Sequence, residues 1–433
     1  MNNVLIFFLI LVFLNNCSLD KGTGIWTDKE KIKIEDPIIK EQFVEETALQ
    51  KEFNSKLKIN LTSKLIKNSF HNNFDNNNGR VDYNGSLKSI SRFKFSKIKN
   101  FDQFEPEIVF DNKNVIFFND KGSIFKFNDS SKLIWKRNYY SKVEKKIKPI
   151  LFFSNNKNTL IVADNIAKYY AVNLNTGDLI WSKNNSAPFN SQVKIYKDRF
   201  FAVDSENVIK CFSIKDGSEL WEVKTEKSFI KSEKKLSLII VDNKVFFNNS
   251  IGDISAIDIK SGIILWQTPT QSSSIYEDAF FLKTSDIISD INSIYFSNNK
   301  NKFFSLNIKS GIINWEQKIN SDIRPTLIEN FIFSVSLEGY LIIVENKSGN
   351  IVRITDVFKK FKEKKRFKIK PVGFIVGSKN IYLTTNHGRL MIIDVQTGQT
   401  ISIIKIDNEK ISRPFVLDKN LFIIKKNSII KLD

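Results

Sequence analysis

The chain has 433 residues, 42% of them apolar, with 38 Phe but only 16 Gly and 8 Pro. That composition allows a large core and excludes a collagen-like or Pro/Gly-rich disordered chain. Lys and Arg outnumber Asp and Glu by 66 to 47, a net charge of +19, but the cations are scattered through apolar alternations, so nucleic acid is not an expected partner. In chain order, the first element is the apolar run at residues 4–14 of MNNVLIFFLILVFLNNCSLD. It is too short to cross a bilayer as a helix, which takes roughly 20 residues, and it fits a secretory signal over residues 1–16.

The end of that run, Leu14-Asn15-Asn16-Cys17, resembles the lipobox of bacterial lipoproteins, although Asn16 stands where a smaller residue is usual and no Lys or Arg precedes the apolar run. The resemblance implies lipidation of Cys17, and several acyl chains contributing about 0.8 kcal/mol per buried CH₂ would hold the protein at a membrane. An ordinary secretory signal followed by an unmodified cysteine is the alternative. Cys17 and Cys211 are the only cysteines, which excludes a disulfide framework and a Cys-rich metal site. Cys211, inside the alternation VIKCFSI, reads as a small buried hydrophobe. Residues 17–86 read as a tether. Helix formers with near-helical apolar spacing predict a short amphipathic helix over residues 38–59, and the Asn-rich stretch HNNFDNNNGRVDYNG predicts a linker. Partial docking of the tether on the folded domain is left open.

From residue 87 to residue 433 one unit recurs: a Gly turn, a short apolar stretch and a Trp. It reads NTGDLIW to Trp181 with Gly177, KDGSELW to Trp221 with Gly217, KSGIILW to Trp266 with Gly262, and KSGIINW to Trp315 with Gly311. SSKLIW, ending at Trp135, has Ser in place of Gly. KSGNIVR and QTGQTIS carry Arg353 and Ser402 in the Trp position. The Trp residues are spaced by 46, 40, 45 and 49 residues, the period of propeller blades with four short strands each. The Gly gives the hairpin its positive φ, and the Trp, at the same place in every unit, is expected to pack between blades. Eight copies fit, beginning near residues 105, 148, 190, 231, 277, 324, 370 and 412. The last has room for three strands, so the fourth is expected from residues 87–97. The expected fold is therefore all-β: an eight-bladed propeller of four-stranded antiparallel blades, closed by pairing the two chain ends and so freed of open edges.

Catalytic chemistry finds little support. The two histidines, His71 and His387, lie in the linker and in a turn, away from any ligand set of metal-site spacing. GxxxxGK[ST], GxSxG and HExxH motifs are absent, and many acidic residues sit in turns, where they cap the backbone. No metal, cofactor or catalytic residue is expected. The connections between blades, which gather on one face, are the better candidates for a site. The longest covers residues 268–290, and the most basic, KKFKEKKRFKIK at residues 359–370, is either a solvated loop or a contact for an acidic protein or anionic lipid.

Eight units carrying the TG/DG/SG…W motif resemble the pyrroloquinoline-quinone repeat propellers. Within that superfamily the lipobox, short tether and chain length are similar to the BamB family of outer-membrane β-barrel assembly lipoproteins. That resemblance implies a non-enzymatic scaffold, lipid-anchored at the periplasmic face of the outer membrane. It would bind the POTRA domains of the barrel-inserting subunit BamA and other components of the machinery, and would help insert unfolded outer-membrane proteins. It places the partner contact on the loop entering the fourth blade, with Phe229, Ile230 and Lys231, and on the next loop, with Glu277, Asp278 and Asp286 as acidic candidates. The alternatives are a divergent quinoprotein enzyme, or an envelope propeller binding another ligand or protein.

Overall fold

The computed structural model describes residues 51–69, 76, 79–99, 101–226, 232–271 and 281–433. Within it, eight four-stranded antiparallel sheets form the blades of a propeller. Seven are continuous in sequence, covering residues 109–137, 151–184, 194–224, 238–268, 288–317, 326–356 and 371–405. The eighth is built from both ends of the chain. Its inner three strands are Phe415–Leu417, Asn420–Lys425 and Ser428–Leu432, and its outer strand is Ser89–Lys94, which pairs antiparallel with Ser428–Leu432. The expected closure is thus present, but it does not free the fold of open edges, because the outer strand of each four-stranded blade pairs within the sheet on one side only. The two central strands of each blade are buried nearly throughout, because both sheet faces pack on neighbouring blades, and this is why they read as continuous apolar runs. Phenylalanines fill the closing wedge, where Phe93, Phe110 and Phe422 meet between blades 8 and 1.

The repeat motif is a latch from each blade to the next. The indole N–H donates to a carbonyl in the following blade: Trp135 to Leu174, Trp181 to Ile214, Trp221 to Ile259, Trp266 to Ile308 and Trp315 to Asn346, at 2.9–3.3 Å. Each accepting carbonyl stands three residues before the hairpin Gly of that blade, and the indole lies against this Gly. A Cβ on Gly217 would approach Trp181 to 2.6 Å, and one on Gly311 would approach Trp266 to 2.5 Å. The Gly therefore answers two demands at once, a φ of +68° to +75° and the close approach of an indole.

The irregular copies follow from the same rule. Arg353 keeps the latch with a guanidinium, which donates to Val395 O and Gln396 O of blade 7. Ser402, on blade 7, faces a blade whose third and fourth strands are the two chain ends, so no hairpin lies there to be latched. Blade 1 follows an outer strand without Trp, and its hairpin uses Ser131 at φ +62° in place of Gly.

The described part of the expected amphipathic helix, residues 51–59, is not helical; residues 38–50 lie outside the described residues. Phe53 instead pairs antiparallel with Ile354 on the outer strand of blade 6. The chain then crosses the face that carries the hairpins of blades 6–8. Ile59 N–H donates to Gln396 O at 3.0 Å, and Glu329 accepts from the N–H groups of Thr62 and Ser63 at 2.6 and 2.5 Å. Ser69 exchanges hydrogen bonds with Val416, and Val81 N–H donates to Val376 O at 2.8 Å. Helix propensity gives way here because an open strand edge and unpaired turn amides offer the backbone partners that a short isolated helix lacks. The segment read as linker is in its described parts a strap bonded to the propeller.

Candidate functional site

The strap reaches the propeller axis. The Asn76 side chain is fully buried, with its amide nitrogen 3.0 Å from Gln192 Oε1, Ser237 Oγ and Ile287 O, while Lys194 Nζ donates to its Oδ1 at 2.6 Å. These partners stand at the starts of the inner strands of blades 3, 4 and 5, so a residue from outside the ring joins three blades.

Beside this layer lies an ion-pair network of buried or nearly buried groups around Glu107, whose own side chain is 26% exposed. Glu107 of blade 1 meets Lys235 at 3.0 Å, Arg413 at 3.2 Å and Arg324 at 3.4 Å. Arg324 also binds Asp286 at 2.6 Å. Burial alone would raise the Glu107 carboxyl, but Lys235, Arg413 and Arg324 outweigh it and hold the pKa down at about 2. Asp286 is held low in the same way, with Arg324 as the main cation opposing burial. Burial and the neighbouring Arg324 lower Arg413 to about 10, still cationic at neutral pH. Five blades are thereby tied across the axis by one set of ion pairs.

Toward the face of the blade-to-blade connections the channel widens into a funnel of about 840 Å³, in which Lys234, Lys283, Lys370 and Lys410 stand among Asp102, Glu105 and Asp322. Its mixed charge suits water and polar chain more than an apolar small molecule. The basic segment at residues 359–370 borders it. Phe358 is buried, a short helix spans Glu363–Arg366, and Arg366 is clamped to Asp356 at 2.6 Å while its lysines stay in solvent.

The channel is where a superfamily cofactor would have to sit, and the residues present do not fit one. A planar quinone with three carboxylates needs cations free to meet it. Here Lys235, Arg324 and Arg413 are bound to Glu107 and Asp286, Asn76 fills the adjoining layer, and in the funnel Lys234 stands 3.6 Å from Glu105 and Lys283 3.5 Å from Glu233. Among the described residues no three His, Cys, Asp or Glu side chains stand together as metal ligands. Cys211 is buried, and burial pushes its thiol up to about 12. His387 is exposed and bonded to Asn386.

Of the residues singled out for partner contact, Phe229, Ile230, Lys231, Glu277 and Asp278 lie outside the described residues, as do Cys17 and His71. Asp286 is described, and its place differs from a surface contact: it is 4% exposed and its carboxylate is committed to Arg324. The sequence reasoning passed over Glu107, Lys235, Arg324 and Arg413. One signal was available, a charged residue followed by Pro on entering a blade, in Glu105-Pro106, Lys148-Pro149, Arg324-Pro325, Lys370-Pro371 and Arg413-Pro414. Proline suits the first position of a strand, and this dipeptide picks out Arg324 and Arg413 of the network but neither Glu107 nor Lys235.

A sequence family described as outer membrane protein assembly factor BamB matches residues 120–355, more than half of the chain. No curated protein matches the sequence. Among solved structures, the fold is similar to BamB from Moraxella catarrhalis, with a TM-score of 0.63 at 13% identity, covering 79% of this chain and 99% of that one. It is similar also to the computationally designed Ika8 protein, with a TM-score of 0.60 at 11% identity over 78% of this chain and 99% of that one. The quinohemoprotein alcohol dehydrogenase of Comamonas testosteroni gives 0.61 at 9% identity over 82% of this chain and 78% of that one. At such identities the likeness is one of fold.

Proposed function

The chain belongs to the outer membrane protein assembly factor BamB family, and on that basis we propose that it is a non-catalytic scaffold of the outer-membrane β-barrel assembly machinery. In this reading it is anchored through Cys17 at the periplasmic face of the outer membrane and binds the POTRA region of BamA, aiding insertion of outer-membrane proteins. The observation that carries the reading is the layer of mutually committed charges beneath the funnel. Where a propeller enzyme of this superfamily needs ligands free to hold its cofactor, this one has Glu107, Asp286, Arg324, Arg413 and Lys235 bound to one another. That leaves its surfaces to do the work, above all the face where seven connections converge.

The contact is assigned to the loop between the outer strand of blade 3 and the inner strand of blade 4, with Ile230 as apolar anchor and Lys231 beside it, a pairing suited to a small hot spot. Phe229 flanks them, and Glu277 and Asp278 stand on the next connection. The test is calorimetric titration of the purified full chain with the POTRA domains of its own BamA. Saturable binding that weakens at least tenfold, about 1.4 kcal/mol, in the Ile230→Ala, Lys231→Glu double variant supports the reading. Absence of binding by the unaltered chain, or equal binding by the double variant, overturns it.

A further inference from the structure

The outer strand of every blade pairs on one side only, so it carries an open ladder that a further strand can join. On blade 6 the protein fills this edge itself. Phe53 N–H donates to Ile354 O at 3.1 Å, and Ile354 N–H donates to Phe53 O at 2.8 Å. In blades 1 to 5 the corresponding strands are exposed over most of their length.

Open edges are commonly guarded by charge, which discourages pairing with another chain. The outer strands here follow that rule: Lys136 and Arg137 stand on blade 1, Lys183 on blade 2, Glu222 and Lys224 on blade 3, and Glu316 on blade 5. Blade 4 breaks it. Its outer strand, Ile264–Thr268, has the sequence ILWQT with no charged side chain. Ile263, Ile264 and Leu265 are 63%, 39% and 45% exposed. An unguarded apolar edge on an otherwise guarded rim has the character of a binding surface.

We propose that the outer strand of blade 4 receives an extended polypeptide segment with alternating apolar side chains, added as an antiparallel strand as residue 53 is added to blade 6. The repeat sets the register. Ile354 directly follows Arg353, which stands in the Trp position, and its counterpart on blade 4 is Gln267, directly after Trp266. Gln267 N–H and C=O then pair with the incoming strand, whose side chains cover Ile263 and Leu265. Pro269 ends the edge two residues later and keeps the docked stretch short. This surface lies on the rim and not on the connection face, so it stands or falls separately from the POTRA contact.

The experiment is fluorescence anisotropy of the full chain with a labelled, end-blocked octapeptide of alternating valine and threonine. Leu265→Lys places a guard charge on the edge. Gln267→Pro removes the outward N–H at an edge position where Pro is compatible with a sheet. Leu133→Lys on guarded blade 1 is the control, and melting temperatures report folding. Saturable binding by the unaltered chain and the control, weakened at least tenfold in both blade 4 variants with unchanged melting, supports the proposal. Slower hydrogen exchange at the Gln267 amide on adding peptide supports it independently, and serves should a variant fail to fold. It is overturned by absence of saturable binding, by blade 4 variants that fold and bind like the unaltered chain, or by a self-associated dimer abolished in Leu265→Lys, which would assign the edge to a second copy.

Discussion

Removing the indole at Trp266 takes away both a blade-to-blade hydrogen bond, Trp266 Nε1 to Ile308 O at 3.3 Å, and the surface on which Gly311 rests. Trp266 is partly buried, so Trp266→Ala is expected to lower stability by about 3 kcal/mol, the low end for Trp or Phe to Ala changes in a core. Gly311→Ala attacks the same latch from the other side, combining a Cβ 2.5 Å from the indole with a φ of +73°. Because the two changes remove one shared contact, their effects in the double variant should fall short of additive. Urea denaturation of the two single variants and the double variant measures this. Full additivity would mean that the Trp and the Gly stabilise the ring through separate contacts.

The strap is the element that the sequence hid. Blade number, hairpin Gly, latch Trp and ring closure were all readable, because each follows from a short motif repeated at a fixed period. Residues 51–83 have no repeat, and their partners are turn amides and an edge strand hundreds of residues away, which local pattern cannot reveal. The partner loops were placed by position alone, and the axial charges were obscured because their meaning depends on five blades converging. Arg353 shows how a long-range partner alters a local motif. Its guanidinium donates to Leu57 O at 2.8 Å as well as to the blade 7 turn, so it latches the next blade and holds the strap, whereas an indole has one donor. Arg353→Trp restores the repeat motif and is expected to release the strap while leaving the propeller folded. Limited trypsin digestion should then cleave faster at Lys51, Lys56 and Lys58, with cleavage in the blades unchanged. Equal cleavage rates in the two proteins would show that Arg353 does not hold this segment.

At the scale of the whole molecule, the axial network makes stability depend on pH in a direction that can be worked out. Glu107 titrates at about 2 in the folded protein, against an ordinary value of 4.5, because Lys235, Arg413 and Arg324 together overcome burial. Its folded pKa is depressed, so its contribution is fully present above about 4.5 and is lost as the pH falls from there through about 2. Asp286 acts in the same sense. Asp322 has the opposite sign: burial raises its pKa, so its protonation on acidification favours the folded state and offsets part of the loss near the top of the window. Glu107→Gln leaves Lys235, Arg324 and Arg413 facing one another with Asp286 as the remaining carboxylate of the cluster. Breaking a fully buried ion pair in this one-sided way destabilises by about 3–5 kcal/mol; with the Glu107 side chain 26% exposed, a smaller penalty is expected, still visible at pH 7. The same variant has no carboxyl to protonate at this position, so its urea midpoint should fall less steeply than that of the unaltered protein between pH 4.5 and 2. A variant that is less stable at pH 7 but keeps the original acid slope would show that Glu107 matters through packing alone. A shallower slope would show that one carboxylate, held by cations from three other blades, couples closure of the ring to ionisation on its axis.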